Sequence, residues 1–599
     1  MTVNPAGETP DVGVPRRLAA GMTVGEQQEW LRRYLDRHRV SRRTALKGGA
    51  SVLAALGAVT APWALAGCAA ATGTPVGVLG RRLSFGADPT AQMAVAAELT
   101  AKPDGKVVVV DVGTDTTYGQ TVEAEIRELV SMVPQQDSSI RAADQFFVHA
   151  LADHLAPGGT FHYRIRLADG TSTPDAVFTT APARQATQPF TFTAFADQGV
   201  NTDPTPTGQT GFSDNYYEPD DTRRTAAPSD ALVALVAAAR PAFHLLAGDI
   251  CYADPGGNGF PVRNNGAKTA DEGFDNFDPT VWSQYFGVIE KSAATTPWLF
   301  ATGNHDMEAL YDNTAAGGAA HGYAGHAARL DLPRTGPTGC PSVYSVVYGN
   351  VGVLSLDAND LSQEIPTNAG YSGGAQLTWL TQRLGELRGN PDVDFIVAFF
   401  HHCAYATSSS HASDGGVRAA LAPLFDQFSV DLVVQGHNHQ YERTNPIRRG
   451  TSTMQAPDGA TVDSAKSGTT YVCCGSGGRP RYGWQHGETD RYRGSTSPDT
   501  AVTSFVAGPD GSKKSETVEW SQTRYLDYAF LAVHVTPAPA GQTTTMSVRA
   551  ITDAGIEIDR VDLTRTAGQA QPSTTPTATP SSWHTHGRTG LSVPGNVPV

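Results

Sequence analysis

Cysteine is scarce in this chain, with six in 599 residues. They are Cys68, Cys251, Cys340, Cys403, Cys473 and Cys474. No two are spaced Cys-x-x-Cys, which argues against a structural zinc site. Without Cys68 the count is odd, so a complete disulfide framework is not indicated. Neighbours Cys473 and Cys474 would point to opposite faces of a strand, which disfavours a bond between them. Charge is sparse too. Charged residues make up 17 %, the net charge is −15, and the body carries no long basic run. That argues against a nucleic-acid partner. No repeat of 20–50 residues is present, so a solenoid is not indicated. Gly 62 and Pro 39 are not extreme for this length, and they point to long loops rather than wholesale disorder.

What is present begins with length. A chain of 599 residues with 40 % apolar content can bury a large core in two to four domains. Residues 1–73 read as a leader. Ser41-Arg42-Arg43-Thr44-Ala45-Leu46-Lys47 is followed by an uncharged apolar stretch, Gly48 to Ala66. This resembles a twin-arginine (Tat) export signal, an address rather than a structural element. The stretch is barely long enough to span a bilayer, is rich in Gly and Ala, and is broken by Pro62, which disfavours a membrane anchor. Leu65-Ala66-Gly67-Cys68 resembles a lipobox. A form attached to the membrane through lipidated Cys68 and a freely secreted form both stay open, and so does the oligomeric state.

Residues 74–183 read as all-β. Met93–Leu99 and Lys106–Val112 are strand-like, and Phe161–Leu167 alternates apolar with polar. It follows the turn Leu155-Ala156-Pro157-Gly158-Gly159, and together they resemble the tyrosine-corner region of fibronectin type III sandwiches. Nothing in this part gathers ligands, so it reads as a scaffold or spacer. From Pro189 the pattern changes. Over 189–565, strand-like runs alternate with helical stretches such as Ser229–Arg240, Gly374–Leu387 and Gly416–Phe428, which indicates an α/β domain. Polar stretches at Asn201–Thr225, Gly256–Asp278 and Ala315–Gly339 are long for connections and read as lids or rims. Residues 566–599 read as a disordered tail, because Gln571–Ser582 has too little apolar surface to offset ordering entropy.

Five blocks within the α/β part share one plan: an apolar strand, then metal-ligand residue types at its C-terminal end, where ligands bind in open α/β sheets. Phe190–Phe195 leads to Asp197. Phe243–Ala247 leads to Asp249, whose two oxygens can bridge two metals, and to Tyr252. Trp298–Ala301 leads to Asn304, a neutral oxygen donor, then His305 and Asp306. Phe395–Phe400 leads to His401 and His402. Val430–Val434 leads to His437 and His439. These two lie two residues apart, so on a regular strand they share a face. His411 lies ten residues after His401 and can reach a substrate from a loop. Cys403 reads as packing, since no cysteine-protease signature surrounds it. Tyr441-Glu442-Arg443 reads as packing and ion pairing below the site.

In order, the blocks are Asp-x-Gly, Gly-Asp-x-x-Tyr, Gly-Asn-His-Asp, His and Gly-His-x-His. This resembles the calcineurin-like metallophosphoesterases, and the tyrosine resembles the purple acid phosphatases among them. The resemblance spans roughly residues 74–560. It implies a four-layer α/β/β/α catalytic sandwich preceded by a fibronectin III-like module. It also implies two metal ions. Fe(III) would take Asp197, Asp249, Tyr252 and His439. Fe(II), Zn(II) or Mn(II) would take Asp249, Asn304, His401 and His437. Carboxylate and phenolate oxygens suit a hard trivalent ion, and imidazole with amide oxygen suits a divalent one. The implied activity is hydrolysis of phosphate monoesters by a metal-bound hydroxide, an acid phosphatase reaction. His305 and His411 would stabilise the phosphate oxygens or protonate the leaving alkoxide, and His402 is the third substrate-side candidate. His401-His402-Cys403 departs from the His-x-Pro common in the family. An alternative keeps the metals and changes the substrate to a phosphodiester, nucleotide or lipid headgroup. A remote alternative is a non-catalytic envelope binding protein.

Overall fold

In the strand Thr160–Arg166 buried and less buried residues alternate along its length, as a half-buried strand requires. The same logic builds the rest of the N-terminal part of the computed structural model. The structure describes residues 76–103, 107–134, 140–200, 228–253, 279–308, 320–365, 368–408, 411–479, 482, 492–493, 501–505, 512–525 and 528–570. The leader with its twin arginine and Cys68, the stretches Asn201–Thr225 and Gly256–Asp278, and tail residues 571–599 lie outside these. No helix among the described residues is long and apolar enough to cross a membrane.

Two antiparallel four-stranded sheets make the first unit. One has the order Val78–Phe85, Met93–Leu99, Ile140–Ala152, Glu125–Pro134; the other, Gln120–Glu123, Val109–Gly113, Thr160–Arg166, Ala176–Thr179. The expected strand at 106–112 starts only at Val109. Tyr163 does not make a tyrosine corner. Its hydroxyl donates to the Ala294 carbonyl at 2.8 Å, in the following unit.

That contact is one of many, so the sandwich is not a spacer. Arg82 is buried between the two units, its guanidinium 3.8 Å from the centre of the Phe286 ring. It donates to the Arg329 carbonyl, and burial lowers its pKa to about 10. Arg329 pairs with Glu308 at 2.5 Å, both fully buried, and reaches Gln145 Oε1 at 3.1 Å. His149 lies 2.7 Å from Asp331 and 2.7 Å from the Ala328 carbonyl. The stretch expected as a polar lid, Ala315–Gly339, therefore carries a helix, Ala324–Arg329, that docks on the sandwich. Its charged residues turn inward because Glu308 and, on the sandwich, Gln145, His149 and Arg127 satisfy them.

The second unit has two sheets face to face. The first runs Trp298–Ala301, His244–Ala247, Phe190–Phe195, Ala529–Thr536, Thr543–Thr552, Glu557–Thr566, Ala460–Asp463, with its first three strands parallel. The second runs Tyr344–Tyr348, Val351–Ser355, Phe395–Phe399, Leu432–Gln435, Thr470–Cys474, Tyr441–Thr444, Ser521–Tyr525, Tyr492–Arg493, with four parallel strands from Val351–Ser355 to Thr470–Cys474. The runs are continuously apolar because both faces are covered. Leu245, Leu531, Val397 and Val434 fill the space between the sheets. Leu246 and Phe300 meet the helices Pro228–Ala239 and Thr280–Ala293. Ile396 and Val433 meet the helices Ala375–Gly389 and Gly415–Phe428. The result is the four-layer α/β/β/α arrangement.

The sheets are also pinned through their shared core. Asp559 of the first accepts from Arg443 Nε at 2.6 Å and Nη2 at 2.9 Å, from Tyr441 at 2.6 Å and from Thr523 at 3.2 Å. Burial favours its neutral form, but Arg443 and Tyr441 hold the carboxyl below its ordinary range. Asp559→Ala leaves a buried guanidinium unpaired and should destabilise the chain by about 3–5 kcal/mol at neutral pH. A carboxylate with a lowered folded pKa contributes fully above its unfolded value, ~3.9, and less as pH falls through the folded value. The gap between wild type and variant in urea midpoints should therefore be widest at pH 7 and narrow below about pH 4.

Candidate metal centre

The parallel strands of both sheets end at one rim, and backbone hydrogen bonds cross it. Ala196 N–H donates to the Cys474 carbonyl at 3.0 Å, Gly477 N–H to Ala196 at 2.9 Å, and Arg479 N–H to Asp197 at 3.0 Å. The seven expected metal donors all arrive here. They fall into two groups of mutually close donor atoms, Asp197–Asp249–His439 and Asp249–His401–His437, with Asp249 in both. Tyr252 joins the first, its hydroxyl 3.1 Å from Asp197 Oδ1 and 3.1 Å from His439 Nε2. Asn304 joins the second, its Oδ1 3.1 Å from His401 Nε2 and 3.1 Å from His437 Nδ1.

The local backbone is bent to achieve this. Asp197, Asp249, Tyr252 and His437 have φ of +57°, +50°, +59° and +66°. Non-glycine residues hold such angles at a cost of about 1–3 kcal/mol each, and they cluster at functional sites. The histidine pair is therefore not a strand pair. Its strand stops at Gln435, and a tight turn follows, with Asn438 N–H on the Gly436 carbonyl and Gln440 N–H on Asn438, both 2.7 Å. The turn, not strand alternation, sends both rings the same way. Cys403 and Cys473 brace it from below, donating to the Gly436 carbonyl at 2.9 Å and the Asn438 carbonyl at 3.1 Å. Their thiols, like those of Cys251, Cys340 and Cys474, are free and buried.

Hydrogen-bond roles fix where the lone pairs point. His401 Nδ1 lies 3.0 Å from the Ala247 carbonyl, which can only accept, so Nδ1 carries the proton. His401 Nε2 then faces Asn304 Oδ1 and, at 3.2 Å, Asp249 Oδ2. That oxygen is buried and accepts no hydrogen bond. Acceptors turned toward one another in a buried space call for positive charge. The strength of that call shows at the His401 ring: burial opposes its ionisation, yet Asp249 and Asp197 raise its pKa to about 10, and a cation bound here would take the place of that second proton on Nε2. Burial, Asp197 and Asp249 push the Tyr252 phenol well above its usual range. Mixed carboxylate, imidazole, amide and phenol donors around two points fit two metal ions.

Of the remaining candidates, His305 and His411 line the rim, whereas His402, expected on the substrate side, is buried behind His437. His305 N–H donates to Asp249 Oδ1 at 3.0 Å, and its ring lies over Tyr252 at 4.4 Å, part exposed. The His411 ring is 3.9 Å from that of His437, and burial pushes its pKa down to about 4, so it is neutral at pH 7. His402 is fully buried and binds Glu364 through Nε2 at 3.0 Å. Three further residues escaped the sequence reading. Tyr482 stacks on His439 at 4.1 Å and reaches toward His411 Nε2 at 3.4 Å. Arg479 places its guanidinium 4.1 Å from the Tyr252 ring centre. Glu364 lies beside His437. Arg479 and Glu364 follow apolar strands, Thr470–Cys474 and Val351–Ser355, the signal that marked the other five blocks. Asp306 accepts from Ile250 N–H at 2.9 Å and Gly303 N–H at 2.8 Å, tying two of the blocks together. A cleft of about 530 Å³ between the sandwich and Trp379 is lined by none of these residues.

Gly303 shows how tight the packing is, because a Cβ there would land on Asp249 Oδ1. Gly303→Ala should weaken metal retention at least about tenfold while leaving the far-ultraviolet circular dichroism unchanged. Metal content after dialysis against a chelator measures this.

The family model described as calcineurin-like phosphoesterase matches residues 213–441. An uncharacterized protein of Mycobacterium tuberculosis is 30% identical over 497 residues, covering 79% of this chain and 83% of that protein. Purple acid phosphatase 1 of Ipomoea batatas is 24% identical over 209 residues, covering 34% of this chain and 40% of that one. The solved structure of a purple acid phosphatase from yellow lupin (Lupinus luteus) seeds has the same fold. It superposes with a TM-score of 0.56 at 17% identity, covering 84% of this chain and 77% of that chain.

Proposed function

Because the chain belongs to the calcineurin-like phosphoesterases and is a phosphatase of that family, acting on a phosphate ester, we propose that it hydrolyses phosphate monoesters at a two-metal centre of the purple acid phosphatase kind. The observation that carries this reading is the pair of donor groups sharing Asp249. Asp197, Asp249, Tyr252 and His439 would hold one ion, and the anionic oxygen donors suit Fe(III). Asp249, Asn304, His401 and His437 would hold Fe(II), Zn(II) or Mn(II). Two ions so held would supply positive charge to the phosphoryl oxygens and lower the pKa of a bound water.

The chain's own residues do the rest. The rim is the open side, and His305, like His411 and Tyr482, is part exposed there. Its ring is fixed over Tyr252 and its N–H is tied to Asp249, so its imidazole can hydrogen-bond a phosphate oxygen without reorganising. His411, neutral near pH 7, acts as a hydrogen-bond partner on the leaving-group side, with Tyr482 beside it. Glycine packing around Asp197 and Asp249 keeps water out from below: at Gly436 a Cβ would come within 2.7 Å of Asp197 Oδ2.

Purified protein should hold two metals per chain, absorb in the visible through tyrosinate-to-iron charge transfer, and turn over an aryl monophosphate faster than a diaryl phosphate. Metal analysis, an absorption spectrum and paired turnover measurements check each part. A faster diester rate would move the substrate class. Active but colourless, iron-free protein would refute the iron assignment.

Export is part of the same proposal. Arg42-Arg43 and the apolar stretch to Ala66 fit a pathway that carries folded, metal-loaded protein to the cell surface or beyond. Arg42→Lys combined with Arg43→Lys should leave phosphatase activity in the cytoplasmic fraction. Export at the wild-type level would refute the twin-arginine reading.

A further inference from the structure

One carboxylate beside the centre belongs to none of the expected donors. Glu364 sits in the segment after the strand Val351–Ser355. Its Oε2 is 2.9 Å from His437 Nε2 and 3.0 Å from His402 Nε2. A carboxylate only accepts, so both ring nitrogens carry protons toward it. A neutral imidazole protonated on Nε2 has its lone pair on Nδ1. In His437 that atom faces Asn304 Oδ1 at 3.1 Å, inside the second donor group.

The carboxylate is itself held in place. Glu364 N–H donates to Ser362 Oγ at 3.1 Å, and Ser362 donates to Asp414 Oδ2 at 2.6 Å. Asp414 caps the helix Gly415–Phe428, accepting from Val417 N–H at 2.9 Å. A chain of hydrogen bonds thus runs from a helix end to one imidazole. His402 grips the same oxygen from the other side, which explains a buried histidine directly after the donor His401.

We propose that Glu364 is a positioning residue for the divalent ion's site: it holds His437 in the tautomer whose Nδ1 lone pair faces Asn304 and Asp249, and it adds negative charge behind that ring. Partners of this kind orient a metal-binding imidazole and raise its basicity, and losing one typically costs about 10–100-fold in metal affinity. Glu364 contacts His437 and His402, and none of His439, Tyr252 and Asp197 is among its partners. The effect should therefore fall on one ion of the two.

This inference rests on the two-ion reading, and the experiment separates them. Full-length wild type, Glu364→Gln and Glu364→Ala are loaded alike and challenged with a competing chelator, with metal per chain and the visible spectrum recorded together. The expected result is two ions in the wild type. In Glu364→Ala one ion should be lost about 10–100-fold more readily while the other and its absorption band stay. Glu364→Gln keeps the shape and one acceptor oxygen, so it should fall between. Excess Zn²⁺ should restore most of the lost turnover in both variants. Equal retention of both ions in all three proteins overturns the proposal. So does a wild type with three ions and variants with two, which would make Glu364 a direct ligand alongside His411, whose donor atoms lie close enough to allow it. A wild type holding fewer than two ions overturns the two-ion reading and the inference together. If the alanine variant fails to fold, the isosteric Glu364→Gln alone decides, by whether one ion leaves sooner than in the wild type.

Discussion

Acceptors gathered into one buried space in excess of their donors are the constraint on which this molecule turns. Asp249 Oδ2 is buried without a hydrogen bond, and two histidine nitrogens aim at one amide oxygen. Left to itself such a cluster repels, and the interior magnifies the repulsion. A fold that holds it must resist collapse of the donors away from each other. Two sheets stitched together at their rim provide that resistance, because each donor is anchored to a strand that has no freedom of its own. Strained backbone at four donors and glycines packed against the carboxylates follow from the same demand.

The rigidity has a source below the rim. Asp559 and Arg443 tie the sheets through the core, and Asp431 does the same at the edge, accepting from Arg388 at 2.8 Å and also from Arg565 and Ser464. Each is a carboxylate that would be unfavourable alone and is satisfied by several donors at once. These anchors keep the donor strands in register, and the chemistry at the surface inherits its geometry from them.

Much of the centre was legible in the sequence because its signal is local: an apolar run, then an unusual polar residue where the strand must end. That rule found Asp197, Asp249, Tyr252, Asn304, His401, His437 and His439, which the structure brings together. It passed over Glu364, since a single glutamate in a loop looks like any surface glutamate until its fold neighbours are known. Tyr482 was equally silent, lying well beyond the end of the strand Thr470–Cys474 that precedes it. The pair was expected just past the strand end, where it lies; the tight turn that aims both rings was not foreseen, because residues two apart on a regular strand would point alike as well. The contact between the sandwich and the catalytic unit was illegible for another reason. Arg82, Arg329 and Glu308 are charged residues, and burying Arg82 and Arg329 depends in part on partners more than a hundred residues away.

Arg82 over Phe286, walled in by the Arg329 carbonyl, bears on the ancestry of the chain. A β-sandwich joined by a tether can be exchanged between genes as a cassette. This one cannot, since a replacement module would need an arginine at the same spot or leave the Phe286 face and the Arg329 carbonyl without their partner. The two units are thus matched at this contact, and a change on one side of it has to be met by a change on the other.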